Sequence, residues 1–219
     1  MDLNCYYNTK YNSLRSRGII GYGHRSIHKK LELKLSRELV FNSVIELGAG
    51  SGQHYEFVKH NYLEYFETDL RLENLPPRNN AKVKRMTIDA TNLKEFSNDY
   101  FDRIISTCLV VHLADPETAL KEWRRVSKNN CTLDIYVHCE PGFVLRVLRA
   151  ISINRNSKKL GVNHYSMIYR DHVTYFPRVD FLIKEVFKED SIRRFFWPLC
   201  LPFWNLNIGV FYRIKIKKP

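Results

Sequence analysis

A chain of 219 residues with 44% apolar and 26% charged residues has the length and composition of a globular domain, which excludes collagen-like and disordered classes. Thirty-five Lys and Arg against twenty-three Asp and Glu leave a formal charge of +12. So basic a surface favours anionic partners (phosphorylated metabolites, nucleic acid or an acidic membrane face) without choosing among them.

The first forty residues read as helical and polar, with Tyr6, Tyr7 and Tyr11 and a basic stretch from His24 to Lys34. Short apolar runs then recur at Ser43–Leu47, Tyr62–Thr68, Val83–Ile88, Arg103–Val110 and Thr132–Val137, separated by helical or turn segments. That alternation predicts a parallel sheet with helices on both faces. The helix before the fifth run has a clear start: Asp115 can cap it, Pro116 suits its first position, and Glu117 suits the N-terminal dipole. Ala119, Leu120, Trp123 and Val126 then make one apolar face. Asn129 and Asn130 follow, where the chain must turn through left-handed geometry. Residues 140–175 read as a polar, basic insertion. A helix is predicted from about Pro177 to Phe187, and then an antiparallel strand pair near Ile192–Trp197 and Asn207–Ile216. Phe195, Phe196, Trp197, Phe203 and Trp204 are expected to pack the sheet. The stretch Phe195–Phe211 is too short and too interrupted to span a bilayer, though peripheral membrane contact stays open.

The five cysteines, at positions 5, 108, 131, 139 and 200, form no CxxC pair and no zinc-type spacing. No secretory leader opens the sequence, so reduced thiols and a cytoplasmic location are expected.

The chemistry is concentrated in Val44-Ile45-Glu46-Leu47-Gly48-Ala49-Gly50-Ser51-Gly52. A buried strand ends in a carboxylate and then a turn with glycine at every second place. Gly48 permits a sharp turn, Gly50 and Gly52 permit close approach of a ligand, and Ser51 is placed to start the next helix. The spacing is GxGxG, not GxGxxG, and no P-loop lysine follows. Glu46 would repel a pyrophosphate but suits a cationic ligand group, as in S-adenosylmethionine.

With these residues the sequence resembles the class I S-adenosylmethionine-dependent methyltransferases over roughly residues 40–140. Tyr65-Phe66-Glu67-Thr68-Asp69 is similar to the second strand of that family, whose terminal acid takes the ribose hydroxyls. Met86-Thr87-Ile88-Asp89-Ala90 is similar to the third-strand end, where an Asp meets the adenine amino group. Phe101 to Cys108 resembles the fourth strand, placing Thr107 and Cys108 at the methyl-transfer cleft. The resemblance implies an α/β, Rossmann-like, seven-stranded, mostly parallel sheet with the last strand antiparallel, and S-adenosylmethionine as cofactor with S-adenosylhomocysteine as product. The cofactor residues it implies are Glu46, Gly48, Gly50, Gly52, Asp69, Asp89, Ala90, Thr107 and Cys108. Asn129-Asn130-Cys131 replaces the family's Pro-Gly-Gly. Quinone O-methyltransferases pair an acidic residue with the His after strand four and bind a metal. Here Val111 precedes His112, so no metal is expected.

On this reading one domain, 1–219, comprises a helical cap (1–40), a cofactor-binding core (41–139), an acceptor-side insertion (140–176) and a C-terminal helix with a strand pair (177–219). His112 and Glu140 are the candidate catalytic residues, as bases near the acceptor. Arg146, His172 and Tyr11 are candidate acceptor contacts. The insertion also carries Arg149, Arg155, Lys158, Lys159, His164, Tyr165 and Arg170. The expected acceptor is a small anionic molecule, for instance a phosphorylated or nucleotide-linked sugar or a surface-polysaccharide precursor. An RNA methyltransferase is the alternative enzyme, although no RNA-binding module is present. A non-catalytic scaffold on the same fold and a nicotinamide enzyme are the remaining rivals; the intact glycine turn and carboxylates weigh against both. Oligomeric state is not legible.

Overall fold

The computed structural model describes residues 18–33, 35–71, 77–153, 168 and 170–218. Seven strands form one sheet: β1 (Val40–Leu47), β2 (Asn61–Asp69), β3 (Val83–Thr87), β4 (Phe101–Thr107), β5 (Ser127–His138), β6 (Ser191–Trp197) and β7 (Gly209–Lys215). Their order is β3-β2-β1-β4-β5-β7-β6. The first five run parallel, and β7 is antiparallel to both of its neighbours. The chain winds outward from β1 in one direction and from β4 in the other. A sheet of this kind binds ligands at the carboxyl ends of its strands where the winding reverses, here between β1 and β4.

The central strands alternate, and both of their faces are buried. Ile45, Leu47, Ile104, Leu133, Ile135, Val137, Val210 and Ile214 face one side with the apolar residues of two helices, α2 (Pro116–Val126) and α4 (Phe176–Val186). Val44, Ile105, Tyr136 and Phe211 face the other, with Ile27 and Leu31 of α1 (Gly18–Leu31). Period-two alternation thus sorts each strand between two cores. The start of α2 follows the sequence logic: Asp115 Oδ1 accepts from the Thr118 amide at 3.1 Å, Pro116 opens the helix, and Ala119, Leu120, Trp123 and Val126 are fully buried.

The α1 face carries a buried charge network. Glu32, just past α1, accepts from Arg103 Nη2 of β4 at 2.7 Å and lies 3.0 Å from His54 Nε2. Arg103 also meets Asp134 of β5 at 3.1 Å, and Asp134 accepts from Arg213 Nε of β7 at 2.6 Å. Burial alone would raise the Glu32 carboxyl. The His54 hydrogen bond and the Arg103 guanidinium overcome this and hold it well below the usual range. Arg213 also donates to the carbonyls of Leu31 at 2.6 Å and Leu33 at 2.9 Å, closing the open end of α1. These contacts fix the orientation of α1 on the sheet.

Three local expectations are corrected. Ser51 starts no α-helix; the chain turns over 50–53 and makes only a 3-10 turn at His54–Phe57 before β2. Asn130 does take left-handed geometry (φ 64), but as an irregularity inside a longer β5, not at a helix end. Of the late aromatics, Trp204 lies against Phe176 with ring centroids 5.7 Å apart, whereas Phe195 and Phe203 are exposed. Among the described residues Cys108, Cys131, Cys139 and Cys200 are in no disulfide, and no described helix is long and apolar enough to cross a membrane. Tyr6, Tyr7, Tyr11, Arg155, Lys158, Lys159, His164 and Tyr165 lie outside the described residues.

Candidate active site

A cleft of about 270 Å³ opens at the carboxyl ends of β1, β2 and β4. Its floor is the glycine turn after β1, in which Gly48, Gly50 and Gly52 all have positive φ (70°, 57° and 70°). A Cβ on Gly48 would lie 2.9 Å from Leu109 Cδ1, so a side chain here would have to displace that of Leu109 as well as adopt a positive φ. A Cβ on Gly50 would meet nothing within 4 Å, so the room above that residue is left for a ligand. Gly52 is buried below the turn and does not line the cleft; its carbonyl accepts from Arg78 Nη2 at 2.6 Å. Arg78 in turn binds the fully buried Glu67 at 2.7 Å, so β2 holds the turn from behind.

Three carboxylates expected to meet the cofactor line the same cleft. Asp69, at the end of β2, accepts from the Gly50 amide at 2.8 Å and the Arg71 amide at 2.9 Å. Asp89 Oδ1 accepts from the amide and hydroxyl of Thr91, each at 2.8 Å, and Trp123 Nε1 holds the next carbonyl, that of Ala90, at 2.8 Å. Asp89 therefore both shapes its turn and borders the cleft. Glu46 is 3% exposed, and its Oε2 accepts from Tyr65 Oη at 2.9 Å. Burial raises this carboxyl to about 7, helped by the nearby Glu67 and opposed by His54, the Tyr65 hydrogen bond and Arg78.

The far wall is the end of β4. Cys108 turns through left-handed geometry (φ 62), a strained conformation for a residue with a side chain, and its amide donates to the Tyr136 carbonyl at 3.0 Å. Its thiol lies 3.3 Å from His138 Nε2. Thr107 borders the cleft, and its hydroxyl is buried with no hydrogen-bond partner among the described residues. A ligand in the cleft is the natural partner for such a group.

His112 follows in a short 3-10 turn and also lines the cleft. Its Nδ1 lies 2.8 Å from Asp171 Oδ2. The backbone brings this distant partner in: the amides of Val173 and Thr174 donate to the Val111 carbonyl at 3.0 and 3.2 Å, and the Phe176 amide donates to the Glu140 carbonyl at 3.0 Å. His172 is consequently set edge-on to His112, with ring centroids 4.7 Å apart. Glu140, expected as a base, does not face the cleft. It is 5% exposed and engaged by His172 Nδ1 and Arg149 Nη1, so it stands behind His172 rather than before an acceptor. Arg146 lies exposed on α3 (Phe143–Leu148), away from the cleft.

Glu46, the open space over Gly50 and the orphaned Thr107 hydroxyl fit a nucleoside ligand with a cationic tail. A family model described as a methyltransferase domain matches residues 45–133, the stretch that contains this cradle. Over that stretch the chain is similar to S-adenosylmethionine-dependent methyltransferases. The residues present suit that family's cofactor, S-adenosylmethionine.

Solved methyltransferase structures share the fold over nearly the whole chain. One is a chain from the complex between the Haloferax volcanii Trm112 methyltransferase activator and its candidate methyltransferase (12% identity, 99% of this chain and 98% of that one, TM-score 0.66). Another is the N-methyltransferase NodS of Bradyrhizobium japonicum in complex with S-adenosylhomocysteine (10% identity, 99% and 97%, TM-score 0.65). A third is a Thermotoga maritima methyltransferase (17% identity, 98% and 99%, TM-score 0.63). No curated protein sequence matches the chain.

Sequence reasoning missed two groups in this methyltransferase cleft. His24 and His28 line it from α1, and His28 Nδ1 lies 3.2 Å from His54 Nδ1. Their spacing of four on a helix was the available signal, since it puts both on one face. Asp171 is an ordinary acid of the insertion in the sequence; nothing local ties it to His112, 59 residues earlier.

Proposed function

We propose that this methyltransferase acts on a hydroxyl of a small anionic acceptor, such as a phosphorylated or nucleotide-linked sugar. The observation that carries this reading is the continuity of one cleft, from the Glu46, Gly50, Asp69 and Asp89 cradle to the wall made by His112 and Asp171. When bound, S-adenosylmethionine supplies a methyl group on a sulfonium, and the thioether left behind is neutral. The protein's task is therefore alignment and exclusion of water. Glu46 receives the cationic amino end of the cofactor. Asp69 and Asp89 hold the ribose and adenine ends. His112 faces the acceptor's reacting atom. Arg71 at the cleft, Arg170 beside Asp171 and the overall +12 charge favour an anionic group on the acceptor. Peripheral contact with an acidic membrane, which would bring a lipid-linked acceptor close, agrees with the exposed Phe195, Leu199, Leu201 and Phe203.

The test is formation of S-adenosylhomocysteine with matched pairs of sugars and sugar phosphates. Turnover with phosphorylated members and little with their neutral partners supports the reading. Preference for neutral amines, or for RNA with a steep salt dependence, overturns it.

A further inference from the structure

We propose that His112, Asp171 and His172 form a binding site for a divalent transition cation at the methyl-transfer end of the cleft. The three side chains each offer a ligand atom, and these atoms lie within 4.8 Å of one another. Two imidazole nitrogens and one carboxylate are the donor set that nitrogen- and oxygen-seeking divalent ions take. Three protein ligands with a side open to a cleft are the arrangement of a catalytic rather than a structural ion. His112 and Asp171 both line the cofactor cleft, so the open side faces the place where an acceptor arrives.

The surroundings favour a ligand set over a chance ion pair. His172 has its Nδ1 committed to Glu140, and Arg149 fixes that carboxylate from the other side. With Nδ1 taken, Nε2 is the nitrogen a cation would use. A carboxylate on the far nitrogen of a histidine is the device that fixes ring and tautomer in metal ligands. Glu140 thus gains a positioning role in place of the base expected of it. The backbone bonds from Val173 and Thr174 to the Val111 carbonyl bring the two halves of the site together without any metal.

The inference rests on the methyl-transfer reading and supplies its missing chemical element. An acceptor hydroxyl bound to the cation gives up its proton to solvent more readily. The resulting oxygen attacks the methyl carbon. An O–CH₃ bond forms, the C–S bond breaks, and its electron pair stays on sulfur, leaving a neutral thioether. No oxidant or reductant is needed. His112 then acts as a ligand, not as the proton acceptor that its position after β4 first suggested.

The experiment is titration of the metal-stripped full chain with Co²⁺, read by visible absorbance. S-Adenosylhomocysteine binding by calorimetry, measured on every variant, serves as the control for folding. The expected result is one Co²⁺ per chain at micromolar affinity, displaced by Zn²⁺. Affinity should drop at least 100-fold in His172→Ala and Asp171→Asn and about 10–100-fold in Glu140→Gln, with S-adenosylhomocysteine affinity within a factor of two. Asp171→Asn, at a partly exposed position, keeps the test informative if His172→Ala fails to fold. No Co²⁺ binding by the intact chain, or equal binding in the Asp171 variant, overturns the site. Failure of S-adenosylhomocysteine to bind the intact chain would instead overturn the cofactor reading and is seen separately.

Discussion

Glu46 makes the cofactor reading quantitative. Its carboxyl titrates near 7 in the folded protein instead of 4.5, chiefly because it is buried. A tenfold change in an acid's ionisation constant corresponds to about 1.4 kcal/mol, so ionised Glu46 costs the ligand-free protein about 3 kcal/mol. The folded state holds this proton longer than the unfolded chain does. Stability therefore falls as pH rises from about 4.5 through 7, and the full cost is present above 7. A cationic amino group beside Glu46 offsets the cost of its buried charge, so binding should expel the proton. At pH 6 about nine in ten carboxyls are protonated, and S-adenosylhomocysteine should release ~0.9 proton per site; at pH 7 the figure falls to about one half. Calorimetry in paired buffers of different ionisation heat reads this number directly. Glu46→Gln should abolish the release and weaken binding. It should also make the ligand-free protein more stable at pH 8, by up to about 3 kcal/mol in urea denaturation, with little change at pH 5. Binding without proton release at pH 6, or undiminished binding by the variant, would refute the placement of a cation at Glu46.

Other outcomes follow from the same geometry. Glu32→Gln leaves the buried Arg103 with Asp134 alone and should cost about 3–5 kcal/mol by urea denaturation; a loss under about 1 kcal/mol would mean that the network is not holding α1. Because the Glu32 carboxyl is depressed in the fold, its contribution is present above the unfolded value of 4.5 and fades as pH falls below it. Removing it should flatten that acid limb of the stability profile. Gly48→Ala and Gly50→Ala each add a side chain at positive φ, for about 1–2 kcal/mol of strain. Only the first also strikes Leu109, so it should lose more stability, while the second should lose more S-adenosylhomocysteine affinity. Thr107→Val removes a buried, unpartnered hydroxyl. It should stabilise the ligand-free protein by about 1 kcal/mol and lower cofactor affinity up to tenfold; unchanged affinity would take the hydroxyl out of the site.

The sheet was readable because its signal is local. Each apolar run maps onto one strand, and Asp115-Pro116 fixes the start of α2. The helix expected after the glycine turn was not there. Ser51 is a plausible cap, but Arg78 and Asp69 bind the turn itself, and the chain reaches β2 after one 3-10 turn. The buried network gave only faint signs, a lone Arg103 in an apolar strand and a lone Glu32 between Leu31 and Leu33. Pairing them across 71 residues needs the sheet order. The acceptor wall was half legible: His112 announced itself by following β4, but Asp171 and His172 are ordinary loop residues until the Val111 carbonyl draws their segment in. Glu140 was expected at the cleft from its place after β5, but its side chain turns back to Arg149 and His172.

The hydrogen bonds from Arg213 to the end of α1 bear on the order of events during synthesis. Arg213 and Leu31 are 182 residues apart, yet α1 carries His24 and His28 into the cofactor cleft. A nascent chain can expose the glycine turn, Asp69 and Asp89 while the strand that caps α1 is still inside the ribosome. Such a chain has the cradle without its outer wall. The ability to retain cofactor should therefore arise late, when β7 slots between β5 and β6, and not when the nucleotide-binding half of the sheet is first complete.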